Sequence, residues 1–140
     1  MTNKNNNNVL NNDANNQYNP RIAIYIRCES LSANEVEEKQ KNLLGLCARL
    51  FGNGKAHIYS DFNCSGMSRL EERMMFGPMM SRIEKNEYDI LFVSNVSDIS
   101  RDMDLLFEYV ERITKSGVRI LTPDGQMRWV FDDDGRAILI

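Results

Sequence analysis

Residues 21–30 read RIAIYIRCES, and the fold follows from how this stretch is patterned. Ile22, Ile24 and Ile26 alternate with Ala23 and Tyr25, so an extended segment here is apolar on both faces. β-Branched and aromatic residues dominate it, and no glycine or proline interrupts it, which is the composition of a strand. A strand apolar on both faces belongs inside a parallel sheet covered by helices on either side. Ligands of such sheets bind just beyond the carboxyl ends of the strands. Arg27, Cys28, Glu29 and Ser30 fall at that edge, so the chemistry is expected around Arg27.

Downstream, apolar residues recur at helical spacing from Ala33 to Phe51: Val36, Leu43, Leu44, Cys47, Leu50 and Phe51. Ser32 or Asn34 can cap the start, and Gly52 and Gly54 end the segment. Lys55–Ser60 reads as a short strand, followed by a loop, DFNCSGMSRLEER. A second helix is expected from about Gly77 to Lys85, with Pro78 in its first turn, where its missing N–H costs nothing. Met79, Met80 and Ile83 would form its inner face. Tyr88–Val93 is a near-continuous apolar run, hence another central strand. The polar loop SNVSDISRD leads to a third helix, Met103–Lys115, with Leu105, Leu106, Tyr109, Val110 and Ile113 as its buried stripe. Val118–Leu121 reads as a further strand and Gln126–Phe131 as an edge strand. Asp132–Gly135 carries the signal of a helix start. The order βαβαβαβ predicts an α/β fold with a mainly parallel central sheet flanked by helices.

Two segments lie outside that scheme. Residues 1–19 are mostly asparagine and cannot bury enough apolar surface to offset their ordering entropy, so they read as a disordered tail ahead of a single domain over 20–140. The apolar end, ILI at 138–140, suggests that the natural protein continues.

The totals narrow the function. The 140 residues suffice for one domain, and no apolar run approaches the length of a membrane span, so no membrane partner is expected. A net charge of −3 argues against strong grip on a nucleic acid backbone by this chain alone. Cys28, Cys47 and Cys64 are odd in number and, with the lone His57, make no zinc pattern; reduced thiols in a cytoplasm fit them.

Three loops should meet at the carboxyl edge, bringing Arg27, Ser30, Asp61, Ser65, Arg73, Ser97, Asp98, Ser100 and Arg101 together. Arginines converging with hydroxyls form a phosphate site, because guanidinium forks match phosphate oxygens and stabilise the charge of phosphoryl transfer. A serine among them can attack a phosphodiester and conserve its energy as a phosphoserine link without a cofactor. The nucleotide-binding pattern G-x-x-x-x-G-K is absent. Simpler roles compete. Arg27 can be a strand-end arginine paired with Glu29 or Asp61, Ser65–Gly66 a plain turn, and Cys28 and Cys64 small buried hydrophobes.

At these residues the chain resembles the catalytic domain of the serine recombinases, the resolvases and DNA invertases, over about residues 21–140. YIRCES at 25–30 looks like that family's Y-x-R-x-S-T opening, and YSDFNCSG at 59–66 is similar to its D-x-x-x-S-G loop. Arg73 followed by FGPMMSRIEKNEYDILFV matches its arginine, helix and strand in length and hydrophobic phase. SDISRDMDLLFEYVERITKSGVRIL at 97–121 parallels the stretch in which the family writes L-D-R-L-S-R, a helix and G-V-R. GRAILI at 135–140 looks like the start of the family's long C-terminal dimerisation helix.

The resemblance implies site-specific DNA cleavage and strand exchange through a phosphoserine, with Arg27, Arg73 and Arg101 binding phosphate and Ser65 supporting the centre. It also implies DNA as partner through a C-terminal region outside this chain, a homodimer or tetramer of the full-length protein, and no cofactor or metal. The family's nucleophile position falls on Glu29, with Ser30 one place later as the candidate, and its Asp-Arg pair falls on Ser97 and Asp98. Two classes of function stay open: a recombinase catalytic domain impaired at these positions, and an inactive regulatory or dimerisation module. A small-molecule phosphate binder is a third.

Overall fold

In the computed structural model, residues 19–29, 33–52, 56–123, 129–131 and 137–139 are described. Strand β1 (Ile22–Arg27) leads to helix α1 (Ala33–Phe51), β2 (Ala56–Asp61), α2 (Phe76–Glu84), β3 (Ile90–Val93), α3 (Met103–Lys115) and β4 (Arg119–Leu121). Short 3₁₀ turns, Leu70–Glu72 and Val96–Asp98, precede α2 and α3. A hairpin of β5 (Trp129–Phe131) and β6 (Ala137–Leu139) follows. The asparagine-rich segment 1–18 and Ser30 lie outside the described residues.

The four-stranded sheet has the order β2-β1-β3-β4, and every neighbouring pair is parallel. β1 is therefore central, as its two apolar faces require. Its isoleucines pack with Val36, Leu43 and Cys47 of α1, while Ala23 and Tyr25 face the other layer, built from α2 and α3. The stripe expected on α3 is fully on its buried side, and Asp102 caps that helix by accepting from the amides of Asp104 (2.9 Å) and Leu105 (3.1 Å). Met79 and Met80 fill the core, whereas Met74 is exposed. No helix among the described residues is long and apolar enough to cross a membrane.

The C-terminal end corrects the sequence expectation. Residues 137–139 do not start a helix; they pair antiparallel with 129–131, and β5 belongs to this hairpin rather than to the edge of the main sheet. The physical reason is local. A first helical turn orders three residues for a single hydrogen bond, whereas a paired strand partner offers several. Pairing with β5 satisfies their backbone groups at once.

The topology also locates the site. From β1 the chain crosses to β2 on one side, then returns to β3 on the other, so neighbouring connections diverge between β1 and β3. That switch point lies beyond Arg27 and Val93, the place where ligands of such sheets bind.

Candidate active site

Arg27 ends β1 and is only 7% exposed. Its Nη1 donates to the Cys64 carbonyl (3.1 Å) and to Glu29 Oε1 (3.2 Å), and its Nη2 lies 3.7 Å from Asp98 Oδ1. The loop carrying Cys64 is held there by a backbone ladder that outlasts the strands: Cys28 N donates to the Asp61 carbonyl and Cys64 N to the Cys28 carbonyl, both at 2.9 Å. Asn63 between them takes a positive φ of 50°, a conformation asparagine tolerates better than most residues.

Asp61 does not pair with Arg27. Its carboxylate accepts from the Tyr25 hydroxyl (2.7 Å) and from the amides of Met75 (2.9 Å) and Phe76 (3.1 Å). A buried carboxylate thus ties the end of β2 to the start of α2, and burial together with this bond raises the Tyr25 phenol above its ordinary value.

Arg73 is 2% exposed. It donates to the carbonyls of Asp98 (3.0 Å) and Gly66 (3.4 Å), and its guanidinium lies 4.9 Å from the Phe76 ring centroid. The Gly66 carbonyl also accepts from Arg101 N (2.8 Å) and Ser100 Oγ (3.4 Å), so one oxygen gathers three parts of the site. Gly66 leaves room for the Arg101 side chain: a Cβ there would stand 2.3 Å from Arg101 Cδ and 2.5 Å from its Cγ, so the arginine would have to shift. Ser65 is exposed, and its Oγ accepts from Met67 N (3.0 Å), the turn that its sequence suggests. Ser97 is held by its amide, which donates to Asn95 Oδ1 (3.0 Å).

Glu29 sits where these groups converge. Its Oε1 accepts from Arg101 Nη1 at 2.8 Å as well as from Arg27. The hydrogen bond from Arg101, then the charges of both arginines, hold this carboxyl below its ordinary value. Arg27 and Arg101 thus share the Glu29 carboxylate, whereas the Arg73 Nη atoms donate to loop carbonyls. Asp98 also faces Arg27 but in different surroundings. It is buried, its Oδ2 has no hydrogen-bond partner among the described residues, and burial raises its carboxyl against the pull of Lys39 and Arg27. The influence of Lys39 on Asp98 was not legible, since the sequence shows that lysine only as one charge in a helix. The signal available was its place three residues after Val36 on the inner stripe of α1.

Two buried arginines, Arg27 and Arg73, are thus joined to loop carbonyls, and the Glu29 carboxylate is held between the guanidinium groups of Arg27 and Arg101 at the strand ends. The model of the resolvase N-terminal domain matches residues 22–139, and the chain belongs to this family, that of the serine recombinase catalytic domains. Solved structures share the fold. The C-terminal catalytic domain of ISC1926 TnpA, an IS607-like serine recombinase, superposes with a TM-score of 0.59 at 26% identity, covering 73% of this chain and 67% of its own. The N-terminal catalytic domain of TP901-1 integrase gives 0.63 at 23% identity, over 74% of this chain and 78% of its own. A resolvase family site-specific recombinase from Streptococcus pneumoniae gives 0.58 at 18%, over 85% and 76%. No match was found among curated proteins.

Proposed function

We propose that this chain is the catalytic domain of a site-specific DNA recombinase in which the phosphate-binding arginines persist and strand cleavage is impaired. In the reaction of this class a serine oxygen attacks a DNA phosphorus, a phosphoserine forms, and a deoxyribose hydroxyl leaves. Arg27 and Arg101 would bind the phosphate and stabilise its added charge, Arg73 would hold the loops that aim them, and Ser65 would brace the loop behind. DNA would be gripped mainly by a further region of the full-length protein, acting as a homodimer or tetramer.

One observation carries the impairment: Glu29 Oε1 already lies 2.8 Å from Arg101 and 3.2 Å from Arg27. A carboxylate there competes with a phosphodiester for the same donors and repels it. The loss of one well-placed stabiliser of developing charge typically costs about 10²–10³ in rate. Asp98, an acid where the resemblance places arginine, leaves the site one positive group fewer. The same observation favours a second reading, an inactive regulatory or dimerisation module that keeps the fold.

The test is to incubate the full-length protein with its DNA site and look for protein trapped on cleaved DNA. Little or no trapping is expected. Trapping that disappears in Ser30→Ala would make Ser30 the nucleophile and end the impaired reading. Cleavage gained by combining Glu29→Ser, Ser97→Asp and Asp98→Arg would favour a silenced recombinase over a module.

A further inference from the structure

Arg27 stands between two carboxylates that differ in access. Glu29 reaches its Nη1 at 3.2 Å from a side chain 54% exposed, while Asp98 faces its Nη2 at 3.7 Å from a side chain 7% exposed. The Asp98 contact is longer than a hydrogen bond, and Asp98 Oδ2 has no partner among the described residues. An enclosed carboxylate with one oxygen unpaired and the other beyond hydrogen-bond reach is poorly compensated. Taking up a proton removes the charge that is costly there.

The nitrogen that Asp98 faces is the one that matters most for an anion. A guanidinium grips an oxyanion with two parallel N–H groups, end-on through Nη1 and Nη2 or side-on through Nε and Nη2, as Arg112 does with Glu84. Nη2 is common to both grips, and the Nε of Arg27 is itself unpartnered. Around Asp98, Arg27 comes from the end of β1, Arg73 donates to the Asp98 carbonyl from the segment before α2, and Lys39 of α1 adds its charge. Burial outweighs these cations and raises the Asp98 carboxyl. The neighbouring Cys28 thiol is raised by its own burial, so it stays protonated at neutral pH. His57, the one histidine of the chain, lies beside Ala23 near the opposite end of β1, outside this group.

We propose that Asp98 is a proton-operated switch on phosphate binding at this site. Ionised, it occupies Nη2 of Arg27 and opposes an incoming anion; protonated, it releases both grips of Arg27. The proton comes from solvent and adds to the carboxylate, and no bond to phosphorus is made or broken. Anion binding and proton uptake then favour each other by the same factor. The ligand is the oxyanion of a phosphodiester, that is, the DNA backbone, and the inference rests on the phosphate-site reading above.

Sulfate is the probe, since it keeps its charge where phosphate itself titrates, and the Glu29→Gln chain is the host, so that the exposed carboxylate does not compete. At about pH 8, adding Asp98→Asn should strengthen sulfate binding about fivefold or more, the lower end of coupling between sites. At about pH 5, still within the range where folded proteins are generally most stable, the advantage should shrink because Asp98 has begun to take up its proton. The side-chain carboxyl NMR signal of Asp98 in the Glu29→Gln chain reads the same coupling with the residue intact. Its midpoint should lie above the ordinary 3.8 and rise further with sulfate. An Asp98→Asn advantage that is absent or equal at both pH values, or a midpoint that sulfate leaves in place, while Arg101→Gln weakens binding, would overturn the switch and leave the phosphate site standing. Absence of sulfate binding by the Glu29→Gln chain would overturn both. A short DNA duplex should displace the sulfate; failure to do so would overturn DNA as the occupant.

Discussion

Glu29 and Gly66 decide together what the arginines at this strand edge are doing. Glu29 is the anion that Arg27 and Arg101 hold, and Gly66 is the space through which the Arg101 side chain passes. Gly66→Ala would put a methyl group against Arg101 Cδ and Cγ, the flexible part of a half-exposed side chain. The side chain can swing away, so the fold should survive with a loss of about 1 kcal/mol, at the low end of overpacking costs. The Glu29–Arg101 pair should not survive. NMR titration should find the Glu29 carboxyl below its ordinary value of 4.5 in the unsubstituted chain and nearer to it in Gly66→Ala. An unmoved titration would mean that Arg101 reaches Glu29 by another route.

Among the elements, α2 and α3 form one layer over β1, joined at the surface by Glu84 and Arg112. The pair is bidentate: Arg112 Nε donates to Oε2 at 3.0 Å and Nη2 to Oε1 at 2.9 Å. Arg112, by hydrogen bond and charge, holds the Glu84 carboxyl below its ordinary value of 4.5. A carboxylate with a lowered folded-state value adds stability above its unfolded value and loses it as pH falls through the folded one. Both side chains are more than a third exposed, so solvent screening limits the pair to about 0.5 kcal/mol. A double-mutant cycle with Glu84→Gln and Arg112→Gln should return that coupling at pH 7. The coupling should fade as pH drops below 4.5 and shrink in high salt. Coupling that persists in acid would mean that packing, and not charge, joins the two helices here.

For the molecule as a whole, 20 acidic against 17 basic residues leave a net charge of −3, and the site itself is partly neutralised by its own carboxylates. This chain alone should therefore hold duplex DNA no more tightly than non-specific binders do, with a dissociation constant of about 10⁻⁶ M or weaker near physiological salt. A gel-shift titration at two salt concentrations measures it. A sub-micromolar, sequence-specific shift would place the DNA-gripping surface on this domain.

The local patterns were enough for the strands, the helices and their order, because alternation in RIAIYIR and helical spacing in α1 and α3 are properties of neighbouring residues. Arg27, Arg73 and Arg101 stood out for the same reason: their spacing matched a family's, and strand-end loops converge in any parallel sheet. Tertiary structure decided which arginine does what. Arg73 is turned to the Asp98 and Gly66 carbonyls and Arg101 to Glu29, and a side chain's partner depends on loops far apart in sequence meeting at one edge. The same holds for Asp61, bonded to Tyr25 rather than Arg27. The C-terminal strand was hidden for a related reason. Its pairing partner, and not its own propensity, makes it a strand.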